Sequence, residues 1–260
     1  MNPINRNFIN ILFILPLIFL SFQGIADQAQ LLKHIEAGNK AYNEGLFDQA
    51  IEQYTKVTQE GYSSAELYYN IGNAYFKKED IANAVLYFEK ALRLDPGNEN
   101  IEFNLGLANS RTVDKIEPLP ELFLIKWWKS ILYSTSLDNW ARITISAFIL
   151  SLILFGLFLL SPTLILRKTG FYSGIIMMIF TLFTVFVSYQ KYQYLKTSNE
   201  AIVFDPTVVM KSSPTDKGVD LFIIHEGTKI FIIDQVGEWY EVKIANGSVG
   251  WLKGEAFKKI

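Results

Sequence analysis

Apolar and polar positions divide the 260-residue chain into four blocks. An apolar run from Phe8 to Phe22 opens it, preceded by Arg6, broken by Pro16 and followed by the small residues Gly24 and Ala26 just before Asp27. One early positive charge, a short apolar stretch and small residues at a cleavage position predict a secretory signal peptide over 1–26. The alternative is an uncleaved anchor helix; either way the chain that follows is sent across a membrane. Residues 27–120 are polar with a helical period. Charge-free runs of 24 residues (Ile143–Leu166) and 22 residues (Thr169–Gln190) come next, each longer than the ~20 residues that cross a hydrocarbon core. They predict transmembrane helices over 141–166 and 171–190 with a tight turn at 167–170. Residues 121–140 read as an interfacial segment and 191–198 as a linker. The last block, 199–260, changes to strand patterning: Ala201–Phe204, Val208–Lys211, Leu221–Ile224, Lys229–Ile233, Trp239–Ile244 and Gly250–Leu252 are short β-rich runs separated by Asp205-Pro206, Ser213-Pro214, Glu226-Gly227, Val236-Gly237 and Asn246-Gly247. Short strands punctuated in this way predict a small all-β barrel.

Arg167 and Lys168 lie in the shortest loop, which the positive-inside rule assigns to the cytoplasm. Lys126, Lys129, Lys191 and Lys196 flank the opposite ends, so the export signal decides the orientation: a chain exported once and crossing twice has both polar blocks outside the cytoplasm, facing the periplasm. Trp127, Trp128 and Trp140, with Tyr189, Tyr192 and Tyr194, then form an aromatic belt in the lipid bilayer on that side. Neither run contains an ionisable residue, which argues against an ion or proton path. Gly170 and Gly174 have a small-xxx-small spacing that suits either a partner helix or the chain's own first span.

Self-similarity at 34 residues is the most specific pattern. Counting from Ala65, the residues Tyr68, Ile71, Gly72, Tyr75, Ala84, Phe88, Ala91 and Pro96 fall at positions 4, 7, 8, 11, 20, 24, 27 and 32. The block resembles the tetratricopeptide repeat, a helix–turn–helix unit of about 34 residues. One period earlier Gly38, Ala50 and Tyr54 hold positions 8, 20 and 24; one period later Leu105 and Gly106 hold 7 and 8 before Ile116–Pro120 ends the pattern. Two antiparallel helices cross closely only where both offer small side chains, so Gly72, Ala84 and Ala91 mark the crossing and Tyr75 and Phe88 fill the wedge. Two repeats and a capping helix result. The first helix of each unit lines a groove that holds peptides in such stacks, here Ile35, Asn39, Tyr42, Tyr69, Asn70, Asn73, Phe76, Phe103 and Asn104. Part of the family clamps a ligand's terminal carboxylate with two asparagines and three basic residues. Asn39 and Asn70 match, whereas Ile35, Asn100 and Asn104 replace the cations, so dependence on a terminal carboxylate is not expected. Asparagines on a solvated helix face are the alternative to peptide contacts.

In the last block Gly250-Trp251-Leu252, with Gly227-Thr228-Lys229-Ile230 and Trp239-Tyr240-Glu241-Val242, resembles the bacterial SH3 domain. Trp239, Tyr240 and Trp251 are then candidates for an aromatic groove holding a peptide or a peptidoglycan fragment; core packing is the alternative for each. The expected fold class is thus a multi-domain membrane protein: α-helical tetratricopeptide repeats, a two-helix transmembrane hairpin and a small all-β SH3-like barrel.

Composition narrows the function. There is no cysteine, which removes disulfides, thiol nucleophiles, thiolate metal sites and cysteine lipidation. The net charge of −2 comes without a Lys/Arg stripe, so no nucleic acid is expected. His34 and His225 are far apart, and no phosphate loop, metal-ligand spacing or nucleophile–base pair occurs: no enzyme, cofactor or metal is expected. Residues 27–120 carry 9 basic against 15 acidic side chains, which favours basic or neutral partner segments. The order of blocks, the run Tyr87–Pro96, Asn104-Leu105 leading to Asp114–Pro118, and Trp127-Trp128 resemble the repeat-containing member of the Bacteroides aerotolerance (Bat) family. That resemblance implies an inner-membrane adaptor working with von Willebrand A-domain membrane proteins and, indirectly, a MoxR-type ATPase in a stress-related assembly. The other reading is a cell-wall sensor acting through the SH3-like block.

Overall fold

The computed structural model describes residues 29–120, 122–197 and 199–260; the expected export signal, 1–26, lies outside them. The chain divides into two compact units, one containing residues up to Ser63 with Lys77–Glu79, the other Ser64–Phe76 with Asp80–Ile260.

In the first unit, helix α1 (29–43) turns into α2 (Phe47–Gln59). Gly45 makes the turn at φ 77°, and Leu46 N–H donates to the Ala41 carbonyl at 2.9 Å. The helices cross at Gly38: a Cβ there would stand 2.5 Å from Tyr54 Cε1. Ala50, Tyr54 and Val57 are buried along the contact.

In the second unit, α3 (Ala65–Lys77) and α4 (Ile81–Leu94) repeat the scheme 34 residues on, with a Cβ on Gly72 reaching to 2.7 Å from the Phe88 ring. Asp80 caps α4 through Asn83 N–H at 3.1 Å, and Asn98 caps α5 (Glu99–Arg111) through Ile101 N–H. Helix α5 then departs from the scheme. A Cβ on its Gly106 would meet no atom within 4 Å, and Glu102 and Asn109 stand where α3 has Tyr68 and Tyr75. A polar outer face removes the need for a further helix. The sheet covers the stack instead: Ile202 is buried in one cluster with Val85, Leu86, Phe88, Leu105 and Ala108, and Phe204 and Ile260 pack against it.

After α5 come α6 (Phe123–Leu132), α7 (Leu137–Leu160) and α8 (Leu164–Lys196). Helices α7 and α8 are long and apolar enough to cross a membrane. The break between them is at 161–163, not at the expected 167–170, and Arg167 and Lys168 belong to the first turns of α8. Pro162 is the reason, since the residue before a proline is pushed out of the helical region; Ser161 has ψ 136°. Gly170 and Gly174 face the chain's own α7, a Cβ on Gly170 meeting the Leu154 carbonyl oxygen at 2.8 Å and one on Gly174 the Phe155 ring at 3.3 Å.

Seven strands complete the chain: β1 (Glu200–Val203), β2 (Thr207–Lys211), β3 (Asp220–His225), β4 (Lys229–Val236), β5 (Trp239–Lys243), β6 (Val249–Lys253) and β7 (Phe257–Lys259). All pair antiparallel in the order β3-β2-β6-β5-β4-β1-β7. Sequence patterning located six of them; β7, three residues after a 3-10 turn at Gly254–Ala256, is too short to show a period. The expected closed barrel is an open sheet, because β3 and β7 stand at opposite ends of that order. Ile116, between α5 and α6, packs on the sheet core around Val203, Met210, Ile224, Ile230 and Val242, supplying apolar cover from outside the strand ladder.

Candidate functional site

On α3, Tyr69, Asn73 and Phe76 lie at spacings of four and three and so share one stripe of the helix. Asn104 of α5 bridges to that stripe, its Nδ2 donating to Tyr69 Oη at 2.8 Å and to Asn73 Oδ1 at 2.9 Å. Tyr69, Asn70, Asn73, Phe76 and Asn104 are half-buried, while Phe103 is 66% exposed. The face also contains a residue that sequence reasoning missed: the Arg111 guanidinium lies 4.5 Å from the Phe76 ring centroid. Its signal was its place seven residues after Asn104, two helical turns along one face. A cation therefore stands where spacing alone left the face without one.

In the first unit, Ile35 and Tyr42 are half-buried and Asn39 is exposed. Tyr54 Oη donates to Asn39 Oδ1 at 2.7 Å, and Tyr42 meets Phe47 edge-on at 5.5 Å. His34 Nδ1 is 2.8 Å from Gln53 Oε1.

The three sheet aromatics do not share a face. Trp239 pairs across β5–β6 with Lys253, and Glu241 with Trp251, which puts Trp239 and Trp251 on one side; Tyr240, between them in sequence, points to the other by strand alternation. Trp239 is only 9% exposed, with Lys253 Nζ 5.4 Å from its ring centroid. Tyr240 packs on the core, 5.0 Å from Phe257 in a T arrangement. Trp251 stays half-buried on the outer side.

The tryptophans of the interfacial segment also separate. Trp127 is exposed on α6 beside Phe123 and Leu124. Trp128 tilts against Phe186 of α8 at 5.7 Å, and Trp140 is buried with Leu132 and Val187, its indole N–H without a protein partner. Trp140 thus packs α6 against α7 and α8, with Trp128 against the same cluster, and only Trp127 of the three faces outward.

Charged side chains tie the second unit together. Arg93 Nη2 donates to the carbonyls of Tyr194, Leu195 and Thr197 at 2.6, 3.2 and 2.9 Å, capping the C-terminus of α8, where partial negative charge accumulates. Lys191 does the same for α6, donating to the Leu132 and Thr135 carbonyls. Lys229 bridges Glu89 of α4 at 2.7 Å and Glu200 of β1 at 3.3 Å; burial alone would lower its pKa, but the two carboxylates outweigh it and raise it above the ordinary lysine value. Asp114 accepts from His225 N–H at 2.7 Å and Thr228 Oγ1 at 2.7 Å, with His225 Nδ1 at 2.9 Å. Burial would raise the Asp114 pKa, yet these hydrogen bonds hold it below the ordinary carboxylate value. Leu119 N–H donates to the Ala245 carbonyl nearby. Partners this far apart in the chain, 56 residues or more for all but Lys229–Glu200, leave no local sequence signal.

Against known proteins, the family model for the tetratricopeptide repeat matches residues 65–98. Human (Homo sapiens) tetratricopeptide repeat protein 12 is 35% identical over 74 residues, 28% of this chain and 10% of that protein, so the match spans a tenth of the relative's length. The crystal structure of MamA protein aligns over 64% of this chain and 88% of its own at 17% identity, with a TM-score of 0.30. The chain carries a tetratricopeptide repeat in α3 and α4, a type of unit that generally mediates binding of protein partners.

Proposed function

We propose that this chain is a membrane-anchored, non-catalytic adaptor of the Bat type, whose repeat face binds protein partners on the periplasmic side of the bacterial inner membrane. The observation that carries the reading is the face shared by α3 and α5, where Asn104 holds Tyr69 and Asn73 together and Arg111 lies over Phe76. It offers amides, aromatic rings and one guanidinium, a set suited to an extended peptide's backbone and to an acidic group on it. The acidic surroundings add a preference for a peptide that is basic elsewhere. Von Willebrand A-domain membrane proteins, with a MoxR-type ATPase acting through them, are the partners in this reading. Helices α7 and α8 serve as the anchor. Support for placing repeats and sheet on one side of the bilayer comes from their contact, Ile202 of β1 being buried against α4 and α5.

Affinity capture of the full chain from detergent-solubilised membranes tests the adaptor role. An A-domain protein is expected to co-purify with the native chain and to be lost with Asn104→Ala or Arg111→Ala; no A-domain protein in either sample contradicts the reading. Topology has its own test: single cysteines near Asn73 and Asn246 are expected to react with an impermeant thiol reagent from the periplasm, and one near Arg167 only after cell lysis. A peptidoglycan-binding role for the sheet is the second reading, favoured by half-buried Trp251 on the outer face. Retention of the full chain on purified cell wall, lost with Trp251→Ala, would support it.

A further inference from the structure

Between α5 and α6 the chain runs without regular structure over 112–119, and its side chains alternate: Thr112, Asp114 and Ile116 are half-buried, Val113, Lys115 and Glu117 exposed. The buried set crosses the mouth of the sheet from the β3–β4 turn to the β5–β6 turn. Each turn makes room for the segment with a glycine. A Cβ on Gly227 would meet the Thr112 methyl at 2.6 Å, and one on Gly247 the Leu119 side chain at 2.7 Å. At the first turn His225 N–H and Thr228 Oγ1 donate to the Asp114 carboxylate, with His225 Nδ1 beside it. Two residues on, Ile116 packs on the sheet core and shares a cavity with Phe222, Ile224 and Ile244. Three further on, Leu119 N–H donates to the Ala245 carbonyl at 3.1 Å. Pro118 and Pro120 restrict the residues before them to extended backbone.

These are the contacts of a bound peptide. The sheet reads one carboxylate, one branched aliphatic side chain two positions later and one backbone N–H three positions after that. None of the three depends on the segment belonging to the same chain. Close packing does not lock it in place either. Asp114, Lys115 and Ile116 border a cavity of about 490 Å³ that reaches Glu89 and Asn109, and a second of about 330 Å³ that reaches Phe222 and Ser248. The segment is held at separate points, with open space on both sides. We infer that the mouth of the sheet is a peptide receptor, that residues 112–119 are its ligand in cis, and that an extended partner segment with a carboxylate and a branched aliphatic residue two positions apart binds by displacing them. The cis ligand competes at the millimolar effective concentration of a short tether. A partner therefore opens the site only when it is held nearby or present in excess. The receptor is separate from the α3–α5 face and does not rest on the adaptor reading.

The test uses the full chain in detergent and a fluorescein-labelled peptide with the sequence of residues 110–120, followed by fluorescence anisotropy. The native chain is expected to bind it weakly. Asp114→Ala with Ile116→Ala weakens the cis ligand without touching the receptor's donors, and binding is expected to tighten about ten-fold, the scale of one lost hydrogen bond to a charged group. Adding Thr228→Val to that pair, or placing alanine at the peptide's own aspartate, is expected to remove the gain. No gain in the double variant, or a gain indifferent to the peptide's aspartate, overturns the proposal. Because Ile116 also covers the sheet core, a measurement on the native chain stands beside the variants: hydrogen exchange with the peptide at millimolar concentration. Amides 113–119 are expected to exchange faster while β1–β5 keep their protection, and the alanine peptide is expected to change neither. Unaltered exchange of 113–119 overturns the proposal as well.

Discussion

One repeat position has three fates in this chain. Position 8 is Gly38, Gly72 and Gly106 in successive units; a Cβ would meet Tyr54 at 2.5 Å in the first, Phe88 at 2.7 Å in the second and nothing within 4 Å in the third. Alanine there is expected to act with opposite signs. Gly38→Ala and Gly72→Ala force a ring out of a packed crossing, costing about 1–3 kcal/mol; Gly106→Ala removes a helix-interior glycine with room to spare and stabilises by up to about 1 kcal/mol. Thermal unfolding of the full chain in detergent, followed by circular dichroism, measures all three. A second contrast lies in the turns. Gly45 and Glu79 occupy the same repeat position, at φ 77° and 63°, and a non-glycine residue in the left-handed region is strained by about 1 kcal/mol or more. Glu79→Gly is expected to raise the melting temperature, because relief of that strain exceeds the added freedom of the unfolded chain.

At the scale of elements, the helix ends matter more than the helices. Period and apolar length make α3, α4, α7 and α8 legible in the sequence, and the spacing of Gly72 and Phe88 is enough to identify the crossing. What patterning misses are the joints, because their partners are remote: Arg93 on the end of α8, Lys191 on the end of α6, Asp114 on the start of the β3–β4 turn. The turn between α7 and α8 departs from expectation for a different reason: the Arg167-Lys168 charge pair is the louder signal in the sequence, but Pro162 sets the break. Arg93 gives a sharp test. All three bonds leave one nitrogen, Nη2, and a lysine ammonium also offers three donors. It ends one bond nearer the backbone, however, and loses the guanidinium's place over the Tyr194 ring, so Arg93→Lys is expected to loosen the α8 end, though less than Arg93→Ala. Hydrogen exchange of amides 190–197 reads this directly; full protection in Arg93→Lys would contradict it. For Asp114 the sign follows from its lowered pKa. Such a carboxylate contributes stability that is present above its ordinary value near 3.8 and is lost as pH falls through the depressed folded value. Exchange in residues 113–119 is therefore expected to stay slow from neutral pH to about pH 4 and to rise in stronger acid, whereas Asp114→Asn exchanges faster even at neutral pH.

Across the whole molecule, the sequence suggests separable modules, since each block has its own period and the 62 residues of 199–260 are near the limit of what folds alone. The structure instead joins α3–α5 and the sheet in one unit. No pattern within a block could show this, because Ile202 is an ordinary strand residue until Val85 and Ala108 are found around it. The joint solves a problem that both parts share: a stack ending on a lone helix leaves α4 and α5 uncovered, and an open seven-stranded sheet has more apolar surface than one core can hide. Each covers the other. Ile202→Asp tests this dependence, since it puts a carboxylate in a fully buried apolar site and is expected to cost several kcal/mol. If repeat and sheet fold as one unit, hydrogen exchange of the full-length variant speeds up in α4 and α5 as well as in β1 and β4. If the sheet is an independent module, the change is confined to residues 199–260, and α4 and α5 keep their native protection.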